Sequence, residues 1–341
     1  LPLGAATVAL PPEEARHALR VLRLREGDPV ELCDGAGRVV RGEVAAAQPG
    51  RGQGGWAVTV ALLPGGGGLP IQPLPPPGKT WDLVVAAACL SLKSGRDDWL
   101  VEKAAELGAA AVLPLATERS PLRPGDAENW ALGGGEGAID DGNGGGGRGS
   151  KRRKGDRAAA VLETAPTADD HTNDDAGFPR ADLLALGSGG RLPRVAAAAT
   201  KQCLRTHAPR LLRPAPVQEL AGRLSDARGW DRALVATGGA PPVLRQLERL
   251  SAAAESNGSD DNQKQQRRRR RLYLVVGPEG DFTPTELEAL LLLRGGSTAT
   301  TTTPTVLPCG LGPNRLRTET AAIAMLSAAA AWVEEREEEG R

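Results

Sequence analysis

The sequence predicts an α/β protein, a parallel sheet interleaved with helices and preceded by a small β-barrel. Three observations lead there. Short alternating strands punctuated by turn residues occupy the first 63 positions. From Trp81 onward, continuous apolar runs alternate with helical patterns. A Gly- and Pro-rich stretch, 64–80, separates the two textures. Strands that alternate with helices build parallel sheets, whereas several short strands joined by turns build sandwiches and barrels.

In the first part, Glu13 to Leu24 has a helical pattern, with Ala15, Leu19 and Leu22 on one face. Val30-Glu31-Leu32-Cys33 alternates, Asp34-Gly35 turns the chain, and Arg38 to Val44 returns as the paired strand. Trp56 to Val60 supplies another strand. The stretch 64–80 reads as a linker, which places a barrel domain over 1–63 and a larger domain over 81–333. In the larger domain, Leu83 to Ala88 is apolar throughout, the mark of a strand covered on both faces. Ser94 is placed to cap the next helix, whose Leu100, Ala104 and Leu107 share a face, and Gly108 stands at its C-cap. Ala111 to Leu115, Ala233 to Thr237 and Leu272 to Val276 are further buried strands.

Two stretches interrupt this rhythm. Residues 126–190 hold Gly runs and the cluster Lys151-Arg152-Arg153-Lys154; residues 251–271 are polar and end in Arg267 to Arg271. Both are expected to be disordered insertions in surface loops, which cost little because loop-closure entropy grows only logarithmically with length. Their basic runs read first as solvated charge and only second as RNA contacts.

Composition narrows the class. Lys plus Arg and Asp plus Glu are 42 each, so any nucleic-acid contact must come from local patches, not overall charge. Aromatic residues are 3% of the 341, which leaves Leu, Val and Ala to build the core. No run approaches the roughly 18 apolar residues of a membrane span. Cys33, Cys89, Cys203 and Cys309 form no C-x-x-C pair, which argues against a zinc site or a disulfide framework and for reduced thiols. The chain opens on Leu1 instead of Met, as expected of a trimmed sequence.

Four motifs carry chemistry. Gly277-Pro278-Glu279-Gly280-Asp281-Phe282 follows a strand, and Thr283-Pro284-Thr285-Glu286 after it is a capping box with Pro at the first helical position. A glycine turn between a strand end and a helix start lets backbone approach a ligand, at the edge where α/β sheets bind ligands. Leu311-Gly312-Pro313-Asn314-Arg315-Leu316-Arg317-Thr318-Glu319-Thr320-Ala321 is a charged loop running into an Ala-rich helix over 319–333, with Thr318 as its N-cap. Trp99 to Gly108 presents Glu102, Lys103 and Glu106, followed by Pro114 and Thr117-Glu118-Arg119-Ser120. Lys201-Gln202-Cys203-Leu204-Arg205, then Pro209, puts Gln202 and Arg205 on one face. Each also has a plain structural reading: a tight turn without a ligand, a capped surface loop, or a solvated helical face.

Taken in this order, the blocks resemble the RsmE family of ribosomal RNA uridine N3-methyltransferases, of the SPOUT class. That family's pattern is an E-K-A-x-E-L-G helix, a T-x-R-S strand end, a Q-x-x-R helix followed by Pro, then G-P-E-G-G-F and L-G-x-x-x-L-R-x-E-T-A. The chain departs from it twice: Asp281 stands for the second glycine of the G-P-E-G-G turn, and Asn314-Arg315 replaces a usual Arg-Ile pair. His17-Ala18-Leu19-Arg20-Val21-Leu22-Arg23-Leu24 with Gly27-Asp28 is similar to the opening that leads the family's PUA-like barrel.

The resemblance implies a SPOUT-type parallel sheet with a trefoil knot, behind a PUA-like RNA-binding barrel. It implies S-adenosylmethionine as cofactor, held by three loops. The first carries Thr237 and Gly238; the second Gly277, Pro278, Glu279 and Gly280; the third Leu307, Leu311, Gly312, Leu316, Thr318, Glu319 and Thr320. The reaction would place a methyl on N3 of a uridine in small-subunit ribosomal RNA, free or in the assembled subunit. Arg205 or Arg317 would stabilise the deprotonated base, Glu279 or Glu319 would accept its proton, and His17, Arg20, Arg23 and Arg25 would hold RNA. No metal and no membrane is implied, and the family's habit is a homodimer in which one subunit's barrel serves the other's site. Two alternatives stand beside this: a non-catalytic RNA-binding or assembly factor on the same fold, and an enzyme of the class that methylates a tRNA ribose 2′-hydroxyl. The expected location is the cytoplasm in a bacterium, or a plastid or mitochondrion if nuclear-encoded, as the low-complexity inserts suggest.

Overall fold

The computed structural model describes residues 7–33, 35, 39–49, 55–63, 81–88, 95–120, 122, 191–226, 231–255, 270–291 and 305–339. Asp34, Arg38, Ser94, Cys89, the linker 64–80 and the predicted insertion 126–190 lie outside these.

The first part is an antiparallel sheet of four strands, β1 (Thr7–Ala9), β2 (Pro29–Cys33), β3 (Val39–Gln48) and β4 (Ala57–Leu62), in the order β1-β4-β3-β2. A bulge between Val44 and Ala46 disturbs the β3–β4 register, which bends β3. Helix α1 (Pro12–Arg20) covers the sheet with Ala15 and Ala18, which close a core on Val44, Val58 and Val60. The predicted helix ran to Leu24; the observed one stops four residues earlier. The amides of Val21 and Leu22 both reach His17 O, and Arg23 enters the left-handed region at φ 56°. Leu22, placed by periodicity on the buried face, is 58% exposed for that reason.

The second part is a parallel sheet. Its strands are β5 (Trp81–Ala87), β6 (Ala111–Ala116), β7 (Arg210–Leu211), β8 (Ala215–Pro216), β9 (Arg232–Ala236), β10 (Arg270–Val276) and β11 (Val306–Cys309), in the order β11-β9-β10-β5-β6-β7, with β8 also beside β6. Helices α2 (Gly95–Glu106), α3 (Arg191–Gln202), α4 (Val217–Asp226), α5 (Val243–Glu255), α6 (Pro284–Leu291) and α7 (Thr318–Glu339) cover its faces. Side-chain alternation along β5 sorts the layers. Leu83, Val85 and Ala87 join a core with α2, α3, α5 and α7, while Val84 and Ala86 join one with α4 and α6. The predicted strand covered on both faces is therefore observed.

Helix α2 ends in a Schellman motif: Ala109 N donates to Ala104 O at 2.9 Å and Gly108 N to Ala105 O at 3.3 Å, with Gly108 at φ +86°. Two predicted bounds need correction. Residues 251–255 are the end of α5 and 270–271 the start of β10, so the insertion expected over 251–271 is shorter than composition suggested. Helix α7 runs to Glu339, past 333, and docks Met325, Leu326, Ala329, Trp332 and Val333 into the main core. No helix among the described residues is long and apolar enough to cross a membrane.

Candidate functional site

In a parallel sheet all strands end at one edge, so the loops after neighbouring strands meet there. β11, β9 and β10 are neighbours. The segments that follow them, 237–242 after β9, 277–283 after β10 and 310–317 after β11, share that edge. Direct hydrogen bonds join them. Thr237 N donates to Cys309 O at 2.9 Å, Gly310 N to Pro241 O at 2.8 Å and Val243 N to Gly310 O at 3.1 Å. Thr318 Oγ1 donates to Gly277 O at 2.9 Å, which ties the third loop to the second. The Gln246 amide of α5 also holds Pro308 O.

Glycines shape these loops in two ways. A Cβ on Gly310 would lie 2.4 Å from Ala240 O, so this contact requires glycine. Gly238, Gly239 and Gly312 have open space on the Cβ side, and Gly239 and Gly312 have φ of +74° and +111°. Leu311 and Leu316 are partly buried against the main core. Glu319 is 7% exposed, and its Oε2 has no hydrogen-bond partner. It sits in the first turn of α7, where the helix dipole favours negative charge.

The Gly277–Asp281 turn is ringed by arginines. Arg119 Nη1 donates to Gly280 O at 2.6 Å, and Arg315 Nη2 to Glu279 O at 2.7 Å and to Asp281 Oδ2 at 2.8 Å. Arg96 Nη1 lies 3.4 Å from Glu279 Oε1. Below the turn the predicted capping box forms. Thr283 N donates to Glu286 Oε2 at 2.9 Å, and Glu286 N to Thr283 Oγ1 at 3.3 Å. The other oxygen of Glu286 accepts from Glu118 N at 2.9 Å, which locks the Thr117–Ser120 turn to α6.

The predicted residues divide accordingly. Thr237, Gly238, Gly277, Pro278, Glu279, Gly280, Leu311, Gly312, Leu316, Arg317, Thr318, Glu319 and Thr320 lie in the three converging loops or the first turn of α7. Leu307 does not belong to a loop: it lies inside β11, paired with Leu234, with its side chain fully buried in the core. Arg205 is not brought to these loops. Its Nη1 donates to Ala105 O at 2.6 Å and its Nη2 to Ala109 O at 3.1 Å. It therefore caps the C-terminal end of α2, just before β6 begins and at the opposite edge of the sheet. Burial lowers its pKa from the ordinary arginine value, and the helix carbonyls are what its charge meets there.

His17, Arg20, Arg23 and Arg25 are all exposed on α1 and the segment after it. Sequence reasoning passed over Arg96, Gly310 and Gln246. Arg96 and Gln246 carry no local signal, since their partners are 183 and 62 residues away. Gly310 directly follows a strand, a position where a glycine reads as an ordinary turn.

Comparison with known proteins gives consistent matches. A profile for an RNA methyltransferase domain matches residues 187–330, and one for an RNA methyltransferase PUA domain matches 10–53. The chain is 23% identical over 324 residues to the ribosomal RNA small subunit methyltransferase E of Bacillus subtilis (strain 168), covering 95% of this chain and 90% of that protein. Among solved structures, the chain is similar to the ribosomal RNA small subunit methyltransferase E of Neisseria gonorrhoeae bound to S-adenosyl methionine. That likeness has a TM-score of 0.54 and 17% identity, and covers 97% of this chain and 94% of that one. A putative methyltransferase of Legionella pneumophila, solved with bound SAM, matches with a TM-score of 0.55 at 18% identity, over 96% and 92% of the two chains. At these identities the structural likenesses speak to the fold.

Proposed function

Because the chain belongs to the RsmE-type RNA methyltransferases, we propose that it transfers a methyl group from S-adenosylmethionine to N3 of a uridine in small-subunit ribosomal RNA. The observation that carries this is the convergence of three glycine-bearing loops at the ends of β9, β10 and β11, tied by the Thr318–Gly277 and Gly310–Pro241 hydrogen bonds.

The residues present fit such a cofactor. Leu311 and Leu316 offer an apolar surface for an adenine, open space over Gly238, Gly239 and Gly312 lets a ligand lie against backbone, and the buried Glu319 oxygen lacks a donor. When bound, the cofactor supplies an electrophilic methyl on a sulfonium. The chain's own residues supply the rest. Neutral uridine carries a proton on N3, so the site must accept it or stabilise the anion left behind. Glu279, exposed on the turn, is the group we assign to receive the proton. Arg317, exposed one residue before α7, and the positive N-terminal end of that helix stabilise the charge that spreads onto the flanking carbonyls. Arg205 serves the fold instead, at the end of α2.

We divide the chain into an RNA-binding unit over 1–63 and a catalytic unit from 81 to the end of α7, with the knot expected of the class; the strand order, in which β10 inserts between β9 and β5, supports this. The N-terminal unit touches its own chain through Glu14–Lys201, Cys33 Sγ to Thr206 O at 3.2 Å and Ala208 N to Gly35 O at 2.9 Å. Residues 201–208 precede β7, whose Arg210 pairs with Ala111 at the start of β6. The exposed His17, Arg20, Arg23 and Arg25 thus belong to a unit docked at the edge opposite the loops. That supports a homodimer in which each N-terminal unit presents RNA to the partner's loops.

The non-catalytic alternative leans on Asp281, yet Asp281 holds φ 59°, a conformation glycine adopts freely, so the turn keeps a glycine-like path. The deciding experiment incubates the protein with S-adenosylmethionine and unmodified small subunits, then analyses nucleosides by mass spectrometry. 3-Methyluridine is expected. A 2′-O-methylated nucleoside would redirect the assignment, and cofactor uptake absent by calorimetry would favour the binding factor.

A further inference from the structure

We propose that Arg315 and Asp281 form a latch that holds the Gly277–Asp281 turn in its cofactor-ready shape, which makes Arg315 a positioning residue. The proposal rests on the cofactor reading above. One nitrogen of Arg315, Nη2, donates both to Glu279 O at 2.7 Å and to Asp281 Oδ2 at 2.8 Å. The guanidinium therefore bridges the outer side of the turn, anchored to the loop after β11. Arg119 takes the carbonyl between them, Gly280 O, at 2.6 Å. Thr318 Oγ1 ties the same two loops on their inner side at Gly277 O.

The latch joins one residue from each of the two places where the chain departs from the pattern it resembles. Asp281 stands where that pattern has glycine, and Arg315 where it has an aliphatic residue. Asp281 sits at φ 59°, a conformation that strains an L side chain, and its amide donates to Pro278 O at 2.9 Å. It also adds a second carboxylate two residues from Glu279. Arg315 meets both consequences: it pairs the new carboxylate and pins the carbonyl of the old one's residue. Both side chains are solvent-exposed, 69% and 78%, so the coupling is modest and weakens with salt. Cofactor affinity in this chain then depends on ionic strength.

The test uses the full chain and two readouts, S-adenosylmethionine affinity by calorimetry and amide hydrogen exchange of the 277–283 segment without cofactor. The variants are Arg315→Ile, Asp281→Gly, the double variant and Arg315→Lys. Arg315→Ile is expected to weaken binding about two- to fivefold and to speed exchange across the turn. The double variant returns both readouts to within about twofold of the native protein, since the strained carboxylate and its partner leave together. Arg315→Lys falls between, and raising salt on the native chain moves affinity toward that of Arg315→Ile. Losses that simply add in the double variant, or an Arg315→Ile protein identical to the native one in both readouts, overturn the latch while leaving the cofactor reading intact. A native chain that takes up no S-adenosylmethionine defeats the cofactor reading itself and removes the positioning role with it.

Discussion

At the scale of single residues, the site depends on backbone contacts that admit no side chain. Replacing Gly310 with Ala forces a Cβ to within 2.4 Å of Ala240 O, a backbone atom that does not yield cheaply. We expect Gly310→Ala to cost about 1–3 kcal/mol of stability, read as a lower melting temperature. Cofactor affinity should fall at least tenfold, since the loops after β9 and β11 move apart. Arg205→Met tests the opposite assignment. It removes two hydrogen bonds from a half-buried guanidinium to the carbonyls of Ala105 and Ala109, and should destabilise the protein by about 1–3 kcal/mol. The folded fraction should retain its methyl-transfer rate; a rate lost at unchanged stability would return Arg205 to the chemistry. Cys309 lies buried on β11 with its thiol pushed up to about 12 by burial. Alkylating reagents at about pH 8 should therefore spare it in the native state and modify the exposed Cys33.

At the scale of elements, local rules explain most ends and caps. The Thr283–Glu286 capping box was legible because its spacing is fixed by the helix itself, and Gly108 announced the end of α2 for the same reason. The second use of Glu286 was not legible. Its free oxygen reaches Glu118 N, 168 residues away, and no local pattern encodes that distance. Glu286→Ala should therefore cost more than a cap alone, about 2–3 kcal/mol, because it also leaves the Glu118 amide unpaired. Glu286→Gln keeps one acceptor and sets an NH2 against the other backbone N–H, so it should recover about half of the loss at most; full recovery, by thermal or urea unfolding, would show that only one of the two contacts matters. The early end of α1 was missed because the hydrophobic pattern continues through Leu22 while the backbone turns left-handed at Arg23. Periodicity reports which faces are apolar, not where the backbone leaves the helix.

At the scale of the whole molecule, the N-terminal unit and the loops occupy opposite edges of one sheet. If each site is completed by a partner, an Arg317→Ala chain and an Arg20→Ala/Arg23→Ala/Arg25→Ala chain, each weak alone, should regain activity when mixed and allowed to exchange. Statistical exchange leaves about half the dimers mixed, each with one site that pairs an intact N-terminal unit with intact loops. Recovery toward a quarter of native activity is expected. No recovery beyond the sum of the separate proteins, with subunit exchange shown by mass spectrometry, would mean that each chain works alone.

The sequence alone determined the class of architecture, most of β5 and β10, the Thr283–Glu286 capping box, the Gly108 helix end, and which three turns bear the glycines, because each of these is written in neighbouring residues through periods of two or 3.6 and through φ preferences; Thr318, expected as an N-cap, instead lies inside α7 and donates to Gly277 O. The tertiary structure decided which strands lie side by side, that Arg205 faces the end of α2, that Leu307 lies within the core, and that Arg315 meets Asp281. Those outcomes depend on where parallel strands separated by scores of residues come to rest. Contacts of that kind are set by the packing of whole faces, which no window of neighbouring residues contains.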